Sequence, residues 1–291
     1  MRIQEQQALQ EDLLVQEVLR ILQTQKRLRA RKLLVVMSAY MAEHGIGIGR
    51  DAFFELLREQ GLLVRKRRHS KPQTTSSSHW LRKYSNLIIG LVPTAANQLW
   101  VSDITYIHLQ EGFAYLNLIT DAYSHKIVGF YLCQDLSSAW GCIQALEMAL
   151  EGSLVHKGLI HHSNRGLQYC SSGYVKLLQD HHIVISMIQQ RDPLENAMAE
   201  RVNGILKEEL LEGVYPTSAA AQTAIASAIS VNNHQRPHSS VDMLTPVETH
   251  TKTAELKKRW KNFYAIRKGK EVLRVSGKEI AAMEMEGRKS L

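Results

Sequence analysis

Between residues 99 and 133, three runs rich in β-branched and aromatic residues follow one another with only short turns between them, and this spacing admits few folds. The first run covers residues 99–109 and ends at the turn Glu111-Gly112; the second covers 113–120; Asp121-Ala-Tyr-Ser124 turns the chain again; the third covers 126–133. Alternation of this kind bounded by turn residues predicts strands. Strands joined so tightly must be antiparallel neighbours, because a parallel pair needs a crossover of about a dozen residues or more. A helix is expected next over 137–150, with Ser137 or Ser138 as its N-cap, then a short strand over 158–162 and a helix over 173–180. A strand over 183–187, a helix over 196–210 and another near 219–230 complete the series. The chain is thus α/β, with a mixed sheet and flanking helices.

Ahead of this region, residues 1–64 read as wholly helical. Segments over 4–23, 30–43 and 52–60 are separated by a basic stretch and by the glycine-bearing turn 45–49, the outline of a helix-turn-helix. Residues 65–96 read as a linker. It opens on the basic block Arg65, Lys66, Arg67, Arg68 and continues through a Ser/Thr-rich run without periodicity, expected to be extended. The formal charge is +8, and its excess base is gathered at 26–32, 65–71 and 252–270, which points to a polyanion such as nucleic acid. No apolar run approaches the roughly 20 residues that span a bilayer, and no signal-peptide core follows the N-terminus, so no membrane partner is expected. Cys133, Cys142 and Cys170 lack the paired spacing of a zinc site and read as reduced thiols.

Three polar residues stand where chemistry is expected. Asp103 interrupts the apolar first strand, a costly place for a charge unless it is paired or binds a cation. Asn164 follows the fourth strand. Glu200 lies on a helix whose apolar positions are Ala197, Val202, Ile205, Leu206 and Leu210, with Lys207 two turns further along the same face. In sequence, 35 residues separate Asn164 from Glu200.

Five stretches in this order carry a resemblance. They are Asn97-Gln-Leu-Trp-Val-Ser-Asp103-Ile-Thr-Tyr106, Thr120-Asp-Ala-Tyr-Ser-His-Lys-Ile-Val-Gly129, His161-His-Ser-Asn-Arg-Gly-Leu-Gln-Tyr169, Glu195-Asn-Ala-Met-Ala-Glu200-Arg with Leu206-Lys207, and Asn232-Asn-His-Gln-Arg236-Pro-His238 with Thr245-Pro246. Over residues 90–250 the chain resembles insertion-sequence transposases with a retroviral-integrase-type, Asp-Asp-Glu catalytic core. The resemblance implies a ribonuclease-H-like core over 97–250, between the helical DNA-binding region and a basic C-terminal tail over 251–291. It implies three metal-ligating catalytic positions, here Asp103, Asn164 and Glu200, holding two Mg²⁺ or Mn²⁺ ions about 4 Å apart for in-line cleavage and strand transfer of DNA. Lys207 would contact DNA phosphate near the cleaved end. The partners implied are element ends and target DNA, further copies of the chain assembled on paired ends, and an upstream helix-turn-helix product of the preceding reading frame; the compartment implied is the bacterial cytoplasm.

The departure from the pattern is Asn164, which stands where the family has Asp. It removes one of three negative charges and opens a rival expectation, a transposase-derived DNA-binding protein without catalysis. A nuclease acting on RNA–DNA hybrids is the third reading. Among lesser residues, Asp121 is the nearest spare carboxylate, read first as a turn former, while Arg236 and His238 sit in a loop-like run and are assigned either to phosphate contact or to a structural turn. His161 and His162 point to opposite faces of a strand and read as packing, with a DNA contact as the alternative; Trp100 reads as core.

Overall fold

The computed structural model describes residues 2–64, 79–136, 139–153, 158–189, 196–252 and 273–274. Three helices come first: α1 (Arg2–Thr24), α2 (Ala30–Glu43) and α3 (Arg50–Glu59). Leu14, Val18, Leu33, Met37, Phe53 and Leu57 close a small core of their own, each at most 1% exposed. The turn between α2 and α3 reverses at Gly45, whose φ of +63° suits a residue without a Cβ.

The second part is built on a five-stranded sheet. After the two-residue β1 (Leu91–Val92), the sheet strands are β2 (Leu99–Leu109), β3 (Gly112–Asp121), β4 (Ile127–Cys133), β5 (Ile160–Ser163) and β6 (Val184–Met187). They lie in the order β4-β3-β2-β5-β6. The first three form the expected antiparallel meander, and β5 and β6 add in parallel beside β2. This places the long β2 at the centre, with neighbours on both edges. β1 pairs in parallel with β7 (Leu273–Arg274) away from the main sheet.

Helices cover both faces. On one face α4 (Trp140–Glu151), the short α5 (Leu167–Cys170) and α6 (Ser172–Asp180) pack Ala145, Leu146, Tyr169, Tyr174 and Leu178 around Trp100. On the other, α7 (Ala197–Ile205) and α8 (Ser218–His234) pack Val202, Leu206, Ile225 and Ile229 against Leu116 and Leu118 of β3. Antiparallel meander, parallel additions and helices on both faces make the ribonuclease-H-like arrangement. The last described helix, α9 (Pro246–His250), starts with a full capping box between Thr245 and Glu248.

The close approach at Gly129 decides where α4 sits. A Cβ on Gly129 of β4 would run into the Ala145 carbonyl oxygen and stand 2.8 Å from Ala149 Cβ. Helix and strand therefore meet backbone to backbone. Gly129→Ala is expected to destabilise the protein by about 2 kcal/mol, since the obstructing atom is backbone and cannot swing aside; a lowered midpoint in urea unfolding is the measurement. α4 itself starts at Trp140 with Ala139 in the cap position, and the expected caps Ser137 and Ser138 lie outside the described residues.

Residues 79–92, the second half of the stretch read as a linker, lie along the core. The Leu87 N–H donates to Ser186 Oγ at 2.9 Å, the Met187 N–H donates to the Ser85 carbonyl at 3.2 Å, and Ile88 and Leu91 are buried. Arg65, Lys66, Arg67 and Arg68, and residues 253–272 and 275–291 of the basic tail, lie outside the described residues.

Candidate active site

The site is built on β2, where Asp103 pairs across to Leu118 of β3. The flanking Ser102 and Val101 are buried, and α7 crosses this part of the strand. Two asparagines of α7 and its cap hold that crossing. Asn196 Nδ2 donates to the Ser102 carbonyl at 3.2 Å, and Asn203 Nδ2 donates to Asp103 Oδ2 at 2.7 Å. Glu200 lies one turn before Asn203 and is exposed, and its charge acts on the Asp103 carboxyl. Asn203 was not singled out from sequence. Its spacing of three from Glu200, which puts both on one helix face, was the available signal.

Asn164 is the first residue after β5, beside β2. Its Nδ2 donates to Asp103 Oδ1 at 3.3 Å, and its Oδ1 accepts the Gly166 N–H at 2.8 Å. These partners fix which end of the amide points where. A backbone N–H can only donate and an ionised carboxylate can only accept, so the amide oxygen turns to Gly166 and the NH₂ turns to Asp103. Asp103 and Asn164 of the expected constellation are therefore in contact through an N–H donor, while Glu200 acts on Asp103 through its charge.

Lys207 stands at the edge of the same site. α7 passes directly into a single π-helical turn (Leu206–Leu210), which closes with the Leu211 N–H donating to the Leu206 carbonyl at 2.7 Å. Lys207 Nζ lies 3.5 Å from the centre of the Tyr106 ring. Burial lowers the pKa of its ammonium, and the charges of Asp103 and Glu208 oppose that fall. A half-buried cation braced on an aromatic face and directed by a carboxylate is suited to holding a phosphate.

Burial pushes the Asp103 carboxyl up to about 7; the Glu200 charge adds to the rise, while the Ile104 backbone, Asn203 and Asn164 oppose it by hydrogen bonding. In the unfolded chain the same group titrates near 4. Between about pH 4 and 7 the folded state keeps a proton that the unfolded state has lost, so stability falls as pH rises through that window. Relative to the native chain, Asp103→Asn is expected to gain about 4 kcal/mol as the pH rises from 4 to 7.5, starting from a deficit at pH 4 because its new NH₂ faces the N–H of Asn203 or Asn164. Urea unfolding at several pH values measures this; a gain independent of pH would mean that charge burial is not its source.

The other sequence-derived residues fall elsewhere. Asp121 is fully buried and serves as a turn anchor: Oδ1 accepts from the Ser124 N–H and hydroxyl at 2.7 Å, and Oδ2 accepts from the Asn97 N–H. It pairs with Trp100, three positions from Asp103 along β2, roughly 10 Å away. His161 sits between Ser102 Oγ (2.6 Å) and the Tyr174 hydroxyl (2.9 Å), and His162 Nδ1 meets Ser186 Oγ at 2.8 Å; both are packing residues. Of the two roles held open for Arg236 and His238, phosphate contact gives way to structure. Arg236 is fully buried and pairs with Glu209, while His238 is 4% exposed and its backbone bridges to Leu244. The run is drawn inward because Asn233 accepts from the Ile127 N–H and donates to the Ile127 carbonyl, tying the end of α8 to β4.

Residues 93–193 match a family model described as Integrase core domain, and residues 181–246 match a second model with that description. The chain is 35% identical over 209 residues, 71% of its length and 76% of the relative's, to the uncharacterized 31 kDa protein of insertion element IS600 from Shigella sonnei. It is 30% identical over 226 residues, 75% of its length and 80% of the relative's, to the putative transposase for insertion sequence element IS986/IS6110 of Mycobacterium tuberculosis strain H37Rv. A solved HTLV-2 integrase catalytic core domain in complex with magnesium is similar with 18% identity and a TM-score of 0.43, covering 54% of this chain and 97% of that one. With motifs, topology and extended similarity in agreement, the chain belongs to the insertion-sequence transposases that carry an integrase core domain.

Proposed function

We propose that this protein is a DNA transposase that binds the ends of its insertion element through the N-terminal helices and the basic residues after them, and whose strand cleavage and strand transfer are impaired by Asn164. The observation that carries the reading is the Asn164 amide NH₂ directed at Asp103, where the family's pattern has a carboxylate.

The residues present do not fit the pair of Mg²⁺ or Mn²⁺ ions that the family implies. Asp103 and Glu200 offer carboxylate oxygens, but Asn164 is neutral, its oxygen is turned to Gly166, and the group it presents to Asp103 is an N–H donor. Among the described residues there is no group of three or more His, Cys, Asp or Glu side chains placed to hold a metal ion. What the chain's own residues retain is recognition: Lys207 holds phosphate at the edge of the site, and the helical region reads the duplex. No described helix is long and apolar enough to cross a membrane, and the partner in view is DNA, bound by several copies of the chain together.

The test is binding by the full chain to a labelled element end, a scrambled duplex and an RNA–DNA hybrid of equal length, followed by incubation with Mg²⁺ or Mn²⁺. Preferential retention of the element end in a complex of more than one copy, with little strand cleavage, is expected. Efficient cleavage of the RNA strand of the hybrid would replace this reading with that of a hybrid nuclease, and rapid cleavage of the element end would remove the impairment. A second reading, a wholly non-catalytic binder, is favoured by the same amide orientation; the Asn164→Asp variant separates the two.

A further inference from the structure

A concentration of cations lies outside the candidate active site. It lies at the seam between the helical region and the core. Two contacts hold this seam: Lys26 Nζ to Glu212 at 2.5 Å, and Gln25 Nε2 donating to the Gln235 carbonyl at 3.4 Å. The N-terminus of α2 opens beside it. Arg29 occupies the cap position with no side-chain cap bond, and the first turn holds no acidic residue; Arg31 and Lys32 stand there instead. Helices normally favour acids at this end, because the unsatisfied N–H groups and the macrodipole are positive. Base at that position is unfavourable to an isolated helix and favourable to a bound anion.

From the core side, Arg236 follows directly on Gln235, which the Gln25 contact joins to the helical region, and the charge of Arg201 on α7 acts on it. Lys32 and Arg236 each feel the charges of Arg29 and Arg201, and Lys32 that of Arg236. Arg236 is fully buried, and although Nη2 is bonded to Glu209, its Nε and Nη1 have no hydrogen-bond partner among the described residues. The nearby acids are already committed, Glu209 to Arg236 and Glu212 to Lys26. Among the described residues Arg29, Lys32 and Arg201 take part in no ion pair. Burial together with the charges of Arg236, Arg201 and Arg29 lowers the Lys32 ammonium to about 7, as expected where cations converge without an anion.

We propose that this seam is a phosphate site for the DNA backbone, lined by Arg29, Lys32 and Arg201 over the buried guanidinium of Arg236 and capped by the N-terminus of α2. It rests on the DNA-binding reading given above. A phosphodiester bound here bridges the helical region and the core, so that binding the duplex fixes the two parts against each other. Arg236 contributes its field from beneath, and the three outer cations make the contacts.

The experiment uses the full chain and a labelled duplex, with the binding constant followed over a salt series. Arg29→Gln/Arg201→Gln removes two exposed cations that take part in no ion pair among the described residues. It is expected to weaken binding about tenfold near 0.1 M salt and to reduce the slope of log affinity against log salt by about one, the signature of one lost phosphate contact. Lys176→Gln, on the exposed side of α6, should change neither. Amine acylation gives an independent readout: at neutral pH Lys32 should react faster than Lys176, and duplex DNA should protect it. Inorganic phosphate in the same assay distinguishes a site that takes any free phosphate, which protects at millimolar concentration, from one that needs the DNA backbone, which it does not; either result keeps the site. Unaltered slope and affinity in the double variant, with Lys32 unprotected by bound DNA, overturn the site while leaving the DNA-binding reading intact. Loss of all duplex binding by the native chain removes that reading instead, and the site is then judged on phosphate alone, where absence of Lys32 protection overturns it.

Discussion

Asn164→Asp is expected to raise Mg²⁺- or Mn²⁺-dependent cleavage of an insertion-element end by about a hundredfold or more, the scale on which losses of metal-site support are felt. The substitution changes no heavy-atom shape. One oxygen of the new carboxylate keeps the Gly166 N–H, which the Asn164 oxygen accepts at 2.8 Å, so the turn after β5 is preserved. The other oxygen replaces the NH₂ that lies 3.3 Å from Asp103 Oδ1. A donor facing a carboxylate becomes a second carboxylate facing it, with Glu200 nearby as a third. Without a cation this arrangement is repulsive, and the Asp103 carboxyl, already raised to about 7, is driven higher. With a divalent cation the same three groups form a set of oxygen ligands. The variant should therefore be less stable than the native chain in EDTA and regain stability on addition of Mn²⁺, a shift in melting temperature that the native chain shows weakly or not at all. Cleavage confined to the variant identifies an otherwise intact catalytic site. Equal cleavage by both chains would show that the amide is tolerated; silence in both with end binding retained would establish the non-catalytic binder.

Much of this arrangement was legible in the sequence because its determinants are local. The strands over 99–133 announce themselves by alternation and short turns, and β2, β3 and β4 fall within a residue or two of the expected bounds. Asp103 was conspicuous because a charge inside an apolar strand requires a reason, and Glu200 with Lys207 because helical spacing aligns them. Asp121 reads as a turn former and is one, since an Asx-type bond to Ser124 spans only three residues. What was not legible depends on contacts between distant parts of the chain. The run 232–238 looks like a polar surface loop, yet Asn233 is bonded to Ile127 and Arg236 to Glu209, partners 106 and 27 positions away. The π-helical turn at Leu206–Leu210 leaves no periodicity signal of its own, because one widened turn shifts the apolar spacing by a single residue. The orientation of the Asn164 amide was likewise invisible, being set by Gly166 on one side and Asp103 on the other strand.

The burial of Arg236 leads to the largest expected loss of stability. Glu209→Gln should lower the unfolding free energy by about 4 kcal/mol, within the range seen when one partner of a buried ion pair is removed. The reason lies in what remains. Arg236 stays fully buried, with two of its nitrogens already lacking partners and with Arg201 and Arg29 close enough to bring its pKa down to about 10 in concert with burial, which acts most strongly. Glu209 is the one acid paired with it among the described residues, and a neutral amide accepts a hydrogen bond without cancelling the charge. Its side chain is 18% exposed against 1% for that of Arg236, so the cost of losing a partner falls mainly on the arginine. The loss should consequently be asymmetric. Arg236→Met, which leaves behind a carboxylate that can reach water, is expected to cost about half as much, and the double variant Glu209→Gln/Arg236→Met should be more stable than Glu209→Gln alone. Chemical unfolding of the three variants at one pH and salt concentration provides the comparison. A double variant no better than Glu209→Gln would mean that Glu209 holds the π-helical turn by packing, and that the uncompensated charge of Arg236 is not what its removal exposes.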